Sequence, residues 1–189
     1  MILMMIRHGE TDYNKQRLVQ GRMDNPLNEH GKNQARTTGQ LLKDLNDTFD
    51  ILGSSPLKRA YETAEIVGSY LDMKVEFTFD GMLERDFGSF EGKSIDEVLE
   101  ICTKDDYKEP GFEDNELLQQ RIKKATYELF NEFDGKKVLF VAHSHVIKSL
   151  LILSDKSKYT YTNHYVGNSS VCYFNITKDS IKLIKQIDL

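Results

Sequence analysis

The chain opens with Met1-Ile-Leu-Met-Met-Ile6 and runs without a break into Arg7-His8-Gly9. An uninterrupted apolar run of this length closed by a glycine predicts a strand buried in a sheet. That strand delivers a cation and an imidazole to its own carboxyl edge, where open α/β sheets hold their ligands. With no basic residues before it and no small-residue cleavage site after it, the run reads as a core strand and not as a signal peptide. The layout recurs at Lys136-Lys-Val-Leu-Phe-Val-Ala142, a central parallel strand that ends in His143-Ser144-His145.

Between and beyond these strands, helical and extended patterns alternate. Asn28 or Glu29 opens a helix with Ala35, Leu41, Leu42 and Leu45 at helical spacing, ending near Asn46-Asp47. Phe49 to Ser55 reads as a short strand, and Pro56 opens a helix over Leu57 to Leu71 whose first turn carries Arg59. Met73 to Phe79 alternates like a strand. Ser94 caps a short helix from Ile95 to Ile101, with Glu97 completing a capping box. Glu116 to Phe133 places Leu117, Leu118, Ile122, Ala125, Leu129 and Phe130 on one helical face, and Val146 to Leu153 forms another helix. Ser170–Ile176 and Ser180–Ile187 predict an antiparallel hairpin at one margin of the sheet. The expected fold is an α/β, three-layer α/β/α sandwich with a mostly parallel central sheet, formed by residues 1–189 as a single domain.

Asp12 to Leu27, Asp80 to Gly92 and Thr103 to Asp114 read as loops. Loops this long in a compact domain are usually functional, so the first is expected to wrap the site at His8 and the last to act as a lid.

Composition excludes several classes. A formal net charge of −5 with scattered Lys and Arg does not provide the basic face a nucleic-acid binder needs. The longest apolar stretch, Val138 to Leu153, is interrupted by His143, His145 and Lys148, so no membrane span is expected. Cys102 and Cys172 lack metal-ligand spacing and read as free thiols of a cytoplasmic protein.

The strand edges thus offer Arg7, His8, Arg59 and His143, with Glu84 on a loop between them. Arginine forks and first-turn helix amides suit the oxygens of a phosphate. On a phosphate ester, a neutral histidine could accept the phosphoryl group while the arginines and a second, protonated histidine stabilise the charge. Glu84 could protonate the leaving oxygen if burial or the incoming phosphate raised its pKa. Zinc is the rival reading of clustered histidines. It is weakened because Arg7 abuts His8 and because His143 and His145 lack the spacing that puts two ligands on one helix face. A serine hydrolase is weaker, there being no Gly-x-Ser-x-Gly elbow. Taken alone, Glu84-Arg85 could be a surface pair, and His30, His145 and His164 read as structural or peripheral.

Leu3-Met-Met-Ile-Arg-His-Gly-Glu-Thr11 with Asn14, Gln20-Gly21 and Asp24-x-Pro26-Leu27 resembles the opening of the histidine phosphatase superfamily, in its phosphoglycerate mutase-like branch. The likeness continues in order through Ser54 to Ala64, Leu83 to Gly92, Val141-Ala-His143 and Asn168 to Val171. It implies that His8 is the phosphorylated nucleophile and Glu84 the general acid, later the base that activates water. It further implies that Arg7, Arg59 and His143 hold the phosphoryl group, assisted by Asn14, Gln20, Gly21 and the backbone at Ser144. No metal or cofactor is implied. Ser144 stands where the family usually has glycine, His145 replaces a residue that is commonly small, and the block before the long helix is degenerate at Gly111 to Asp114.

Mutases of this type are similar in carrying a lysine after the Glu84 block and an arginine pair beyond it. Here Ile95 takes the lysine's place, no arginine occurs between Arg85 and Arg121, and the C-terminal tail is shorter. The expectation is a histidine acid phosphatase-type phosphomonoesterase acting on a small phosphorylated metabolite. Phosphoglycerate mutase is the alternative, a non-catalytic phospho-ligand binder the second. The aromatic residues of the lid loops suggest a partly apolar leaving group, and the oligomeric state, monomer or homodimer, is left open.

Overall fold

The computed structural model describes residues 1–102, 104 and 107–188. The opening run forms β1 (Ile2–Arg7), followed by a single turn of helix, α1 (Asp12–Lys15), and by α2 (Glu29–Asp44). Next come β2 (Ile51–Ser54), α3 (Lys58–Tyr70), β3 (Phe77–Thr78), α4 (Ile95–Cys102) and α5 (Asn115–Phe133). The chain closes with β4 (Lys137–Ala142), α6 (Ser144–Ser154), β5 (Val171–Thr177) and β6 (Ser180–Ile187). The strands make one sheet in the order β3-β2-β4-β1-β5-β6. β1 pairs parallel to β4, β4 to β2 and β2 to β3, while β5 runs antiparallel to β1 and β6 to β5. The expected mixed sheet with its marginal hairpin is therefore the one observed.

Alternation along the two central strands divides the core into layers. Leu3, Met5, Val138 and Phe140 pack against Leu118, Ile122 and Leu129 of α5 and Val146 and Leu150 of α6. Met4, Ile6, Leu139 and Val141 face the other way, onto Leu42 of α2 and Ala60, Ala64 and Val67 of α3. A strand covered on both faces has no polar side, which is why β1 and β4 are continuous apolar runs. A third, small cluster of Val19, Phe87, Phe90, Val98 and Phe112 lies apart from the sheet core.

Several expectations are corrected in detail. The strand over Met73–Phe79 shrinks to β3, because β2 offers it only Gly53 and Ser54 as ladder partners and Met73 is spent closing α3 on Gly68. The loop after β1 contains α1, whose capping box joins Thr11 and Asn14; four residues are too few for periodicity to reveal. Pro56 precedes the N-cap Leu57 instead of opening the helix. Leu117 is 53% exposed, off the buried face of α5. In α6 the helix starts at Ser144, so His143 itself is the N-cap. Of the expected lid, Phe112 pairs with Phe87 in an isolated bridge, while Thr103, Asp105 and Asp106 lie outside the described residues, as does the side chain of Cys102. Among the described residues no helix is long and apolar enough to cross a membrane.

Candidate active site

Parallel pairing in register brings three strand ends to one edge. The His8 amide donates to Ala142 at 3.0 Å and the Ser55 amide to Val141 at 2.9 Å, so the turns that leave β1, β2 and β4 start side by side. Arg7, His8, Asn14, Gln20 and Gly21 line a cavity of about 300 Å³ there. Arg59, Glu84 and Ser144 also line it, and His143 lies fully buried with its ring 5.2 Å from that of His8. All the residues singled out from the sequence are thus brought to one place.

The His8 ring is held at both nitrogens. Nδ1 lies 2.7 Å from the Gly9 carbonyl, which can only accept, so Nδ1 carries the proton. Nε2 is left with its lone pair and accepts from Arg59 Nε at 3.2 Å. Burial, and then the charges of Arg59, His143 and Arg7, hold the pKa of His8 well below its usual 6.5. A neutral imidazole with a fixed tautomer results. Gly9 must be glycine for this turn to sit where it does: a Cβ there would come within 2.4 Å of the Gly31 carbonyl oxygen at the start of α2.

Arg59, 1% exposed, reaches from the first turn of α3. Its remaining N–H groups donate to the carbonyls of Met23 at 2.7 Å and Gly21 at 2.8 Å, so the guanidinium ties the loop after β1 to the His8 ring. Gly21 turns with φ +50°, a conformation glycine adopts without steric cost. Glu91 anchors the same loop from below, accepting from the amides of Arg22 at 2.7 Å and Met23 at 3.1 Å. Asn14 spends its carbonyl oxygen on the Thr11 amide and on Asn168, and Gln20 accepts from the Thr11 hydroxyl, which leaves both side-chain NH₂ groups as donors toward the cavity. Arg7 donates to the Val166 carbonyl at 2.6 Å while its Nε has no partner.

His143 departs from expectation. Burial and the Arg59 charge hold its pKa well below 6.5, so without a bound anion to raise it the ring is neutral. Its Nε2 lies 2.8 Å from the Ser55 hydroxyl, and Nδ1 is buried without a partner. With Ser55 donating to Nε2, the Nδ1–H is an uncommitted donor.

Glu84 departs in the same direction. Burial alone would push its carboxyl up, but hydrogen bonding and charge from His145, together with the Arg85 amide, outweigh it and hold Glu84 well below the usual carboxylate range. Oε1 accepts from the Arg85 amide at 2.9 Å and Oε2 from the His145 amide at 3.3 Å. Burial by itself therefore does not raise the Glu84 pKa, which leaves the incoming phosphate as the other expected cause. Nor are Glu84 and Arg85 a surface pair. Arg85 is 1% exposed, with its guanidinium over the rings of Phe112 and Phe87 at 4.5 and 5.5 Å and its Nε on the Glu113 carbonyl.

Sequence reasoning missed Arg121 and Lys148, and it marked His145 only as a larger ring standing where the family's residue is commonly small. Arg121 of α5 grips Glu113 through two bonds of 2.6 and 2.7 Å and donates to the carbonyls of Gly81 and Leu83, which fixes the backbone on which Glu84 stands. His145, read as structural or peripheral, lines the cavity with its ring stacked on Tyr161 and edge-on to Phe87. Lys148, one turn along α6 from Ser144, also lines it and donates to the Tyr161 carbonyl at 2.7 Å. The i, i+4 spacing of Ser144 and Lys148 was the available signal for that face. Among the described residues no group of three or more His, Cys, Asp or Glu is arranged to hold a metal ion.

Fold and site together define an α/β protein with an anion pocket at the carboxyl edge of a parallel sheet. The chain belongs to the histidine phosphatase superfamily (branch 1), whose sequence pattern matches residues 3–188. Over 147 residues it is 41% identical to the uncharacterized phosphatase PhoE of Bacillus subtilis, covering 78% of this chain and 74% of that protein. It is 30% identical to a 2,3-bisphosphoglycerate-dependent phosphoglycerate mutase of Parvibaculum lavamentivorans, covering 82% and 80%. Among solved structures it superposes on phosphoserine phosphatase of Entamoeba histolytica, in complex with 3-phosphoglyceric acid, with a TM-score of 0.83, 26% identity and coverage of 100% and 97%.

Proposed function

We propose that this protein is a phosphomonoesterase that hydrolyses small phosphate esters through a phosphohistidine at His8, as histidine acid phosphatases do. The observation that carries the reading is the His8 ring: its proton is pinned on Nδ1 by the Gly9 carbonyl, and its Nε2 lone pair is held against a buried arginine. An ester phosphate binds between Arg7 and Arg59, with the Nδ1–H of His143 and the side-chain amides of Asn14 and Gln20 as further donors. Nε2 attacks phosphorus, the N–P bond forms and the P–O bond to the alcohol breaks. The departing oxygen takes a proton from Glu84. Water then attacks phosphorus, Glu84 takes back a proton, and the N–P bond breaks to release phosphate. Glu84 stands as a carboxylate, so a proton must reach it before the ester is cleaved. A phosphate monoester with a second pKa of about 6 carries one at mildly acid pH.

Hydrolysis is favoured over mutase chemistry by the far wall of the cavity, where Ile95, Val98 and Leu99 of α4 join Val19 and Phe87. That wall suits a hydrocarbon or aromatic body, and among the described residues the arginine beside it, Arg17, is paired with Asp96. Lys148 and Tyr161 opposite can meet one polar group of the alcohol. The reading includes a cytoplasmic location, supported by a buried thiol at Cys172 whose pKa burial pushes up to about 12. The test is turnover of p-nitrophenyl phosphate with EDTA present, followed by a panel that includes phosphoserine and 3-phosphoglycerate. Activity that survives chelation and is lost in His8→Ala is expected. Efficient isomerisation of 3-phosphoglycerate primed by bisphosphoglycerate would overturn the phosphatase reading.

A further inference from the structure

We propose that His145 and Glu84 act as one proton-holding pair, in which His145 is a positioning residue that lets Glu84 serve as acid and as base over a wider range of pH than a lone carboxyl could. The inference rests on the reading of Glu84 as the acid. Glu84 Oε2 is met twice by the same residue, by the His145 amide at 3.3 Å and by the ring Nδ1 at 3.9 Å. The ring cannot swing away freely. It stacks on Tyr161 at 5.6 Å and 26°, and Phe87 stands edge-on to it at 5.2 Å and 80°. Tyr161 is itself bound to Ser149 and Gln119, which ties the ring's support to α6 and α5.

The charged and titratable groups that face the pair are Lys148 from α6, His143 at its N-cap, Arg7 from β1, Arg59 from α3 and neighbouring Arg85. All of these stay in place when only His145 is altered. Burial lowers the pKa of His145, and the Glu84 carboxylate offsets this only in part, so the ring stays below its usual 6.5. Two basic sites this close bind their first proton more tightly than either alone and resist a second.

In ester cleavage the pair must hold one proton. As the P–O bond breaks, the proton on Oε2 passes to the leaving oxygen, and any proton on the imidazole moves to the carboxylate to be used in the same way. In phosphohistidine hydrolysis Glu84 must be a carboxylate. It remains one beside a protonated His145, so water can still lose its proton to the pair as the N–P bond breaks. Over a full turnover the pair gives one proton and regains one.

Replacing His145 by Gln leaves Glu84 to titrate alone, so two limbs should converge. For an alkyl phosphate, the alkaline limb of kcat/KM is expected to move down by roughly one pH unit. For phosphoenzyme hydrolysis, read as kcat with p-nitrophenyl phosphate, the acid limb should move up by a similar amount. A uniform fall in rate with both limbs unmoved would assign His145 a merely structural role and sink the proposal. The pair can also be probed with His145 intact: in Glu84→Gln, the His145 ring should titrate at lower pH than in the wild type by ¹⁵N NMR, with and without inorganic phosphate, and an unchanged titration would refute the coupling. If Glu84→Gln hydrolyses alkyl phosphates as the wild type does, the reading of Glu84 as the acid fails. If it does not, while the His145→Gln limbs stay fixed, only the pair is refuted.

Discussion

Replacing Glu84 by Gln separates chemistry from packing, because the site fixes what each oxygen does. Oε1 and Oε2 both accept backbone N–H bonds, from Arg85 and from His145. An amide can satisfy only one of these, since its NH₂ must then face the other N–H. The lost bond is expected to cost about 1 kcal/mol of stability, or a fall in Tm of about 2–4 °C for a chain of this size. The catalytic loss should be larger and should depend on the leaving group. Withdrawing a general acid costs about 10²–10⁴-fold, about 3–5 kcal/mol of barrier, when the leaving alkoxide needs a proton. Nitrophenolate needs little protonation, so kcat/KM for p-nitrophenyl phosphate, which reports ester cleavage, should lose no more than about tenfold, while its kcat falls further with the loss of the base. The assay is kcat/KM for an alkyl phosphate and for p-nitrophenyl phosphate, with thermal melts of both proteins. Equal losses on the two esters, with the melt shifted only as expected, would show that Glu84 is not the acid.

Arg121→Met should destabilise the protein by about 1–3 kcal/mol, because it takes two bonds from the partly buried Glu113 carboxylate, which keeps only the Asp86 amide and the more distant Arg22, and leaves the Gly81 and Leu83 carbonyls without this donor; urea unfolding checks this, and turnover of both ester types should fall together. Lys148→Met should raise KM for phosphoserine and 3-phosphoglycerate several-fold while barely changing it for p-nitrophenyl phosphate, which offers the lysine no anionic partner beyond the phosphate. His8 and His143 both have folded-state pKa values held below 6.5, so the unfolded chain binds more protons than the native one below that value. Their stabilisation is full above pH 6.5 and is lost as pH falls toward 5, with Glu84, depressed below 4.5, adding its own loss at lower pH. Thermal melts across pH 4–8 should show the decline, and His143→Asn should flatten its upper part.

The corners of the sheet were legible in sequence because two constraints coincide there. A strand buried on both faces must be apolar throughout, so the first polar residues after β1 and β4 mark the edge, and they are His8 and His143. The helix after Ser55 follows at once, which put Arg59 in its first turn. Boundaries were less legible where partners decide them. β3 is short because β2 offers it little to pair with, and α1 is too short to show a period.

Charge state was the part local pattern could not supply. For the phosphate-bound site the sequence suggested a protonated second histidine and a glutamate raised by burial or by the incoming phosphate, readings that weigh one neighbour at a time. The structure sums every neighbour: burial and then Arg59 from α3 lower the pKa of His143, while His145 from α6 and the Arg85 amide overcome burial and keep Glu84 ionised. Arg85, adjacent to Glu84 in sequence, turns away beneath Phe112 and Phe87, and Arg121, far along the chain, holds the Glu84 loop instead. By itself the sequence determined the family, the sheet and which residues reach its edge, because hydrophobic period and motif order are local properties of the chain. Which protons those residues carry, and that His145 stands beside the carboxylate, was decided only by the tertiary structure, because burial and Coulomb interaction depend on distance in space and not along the chain.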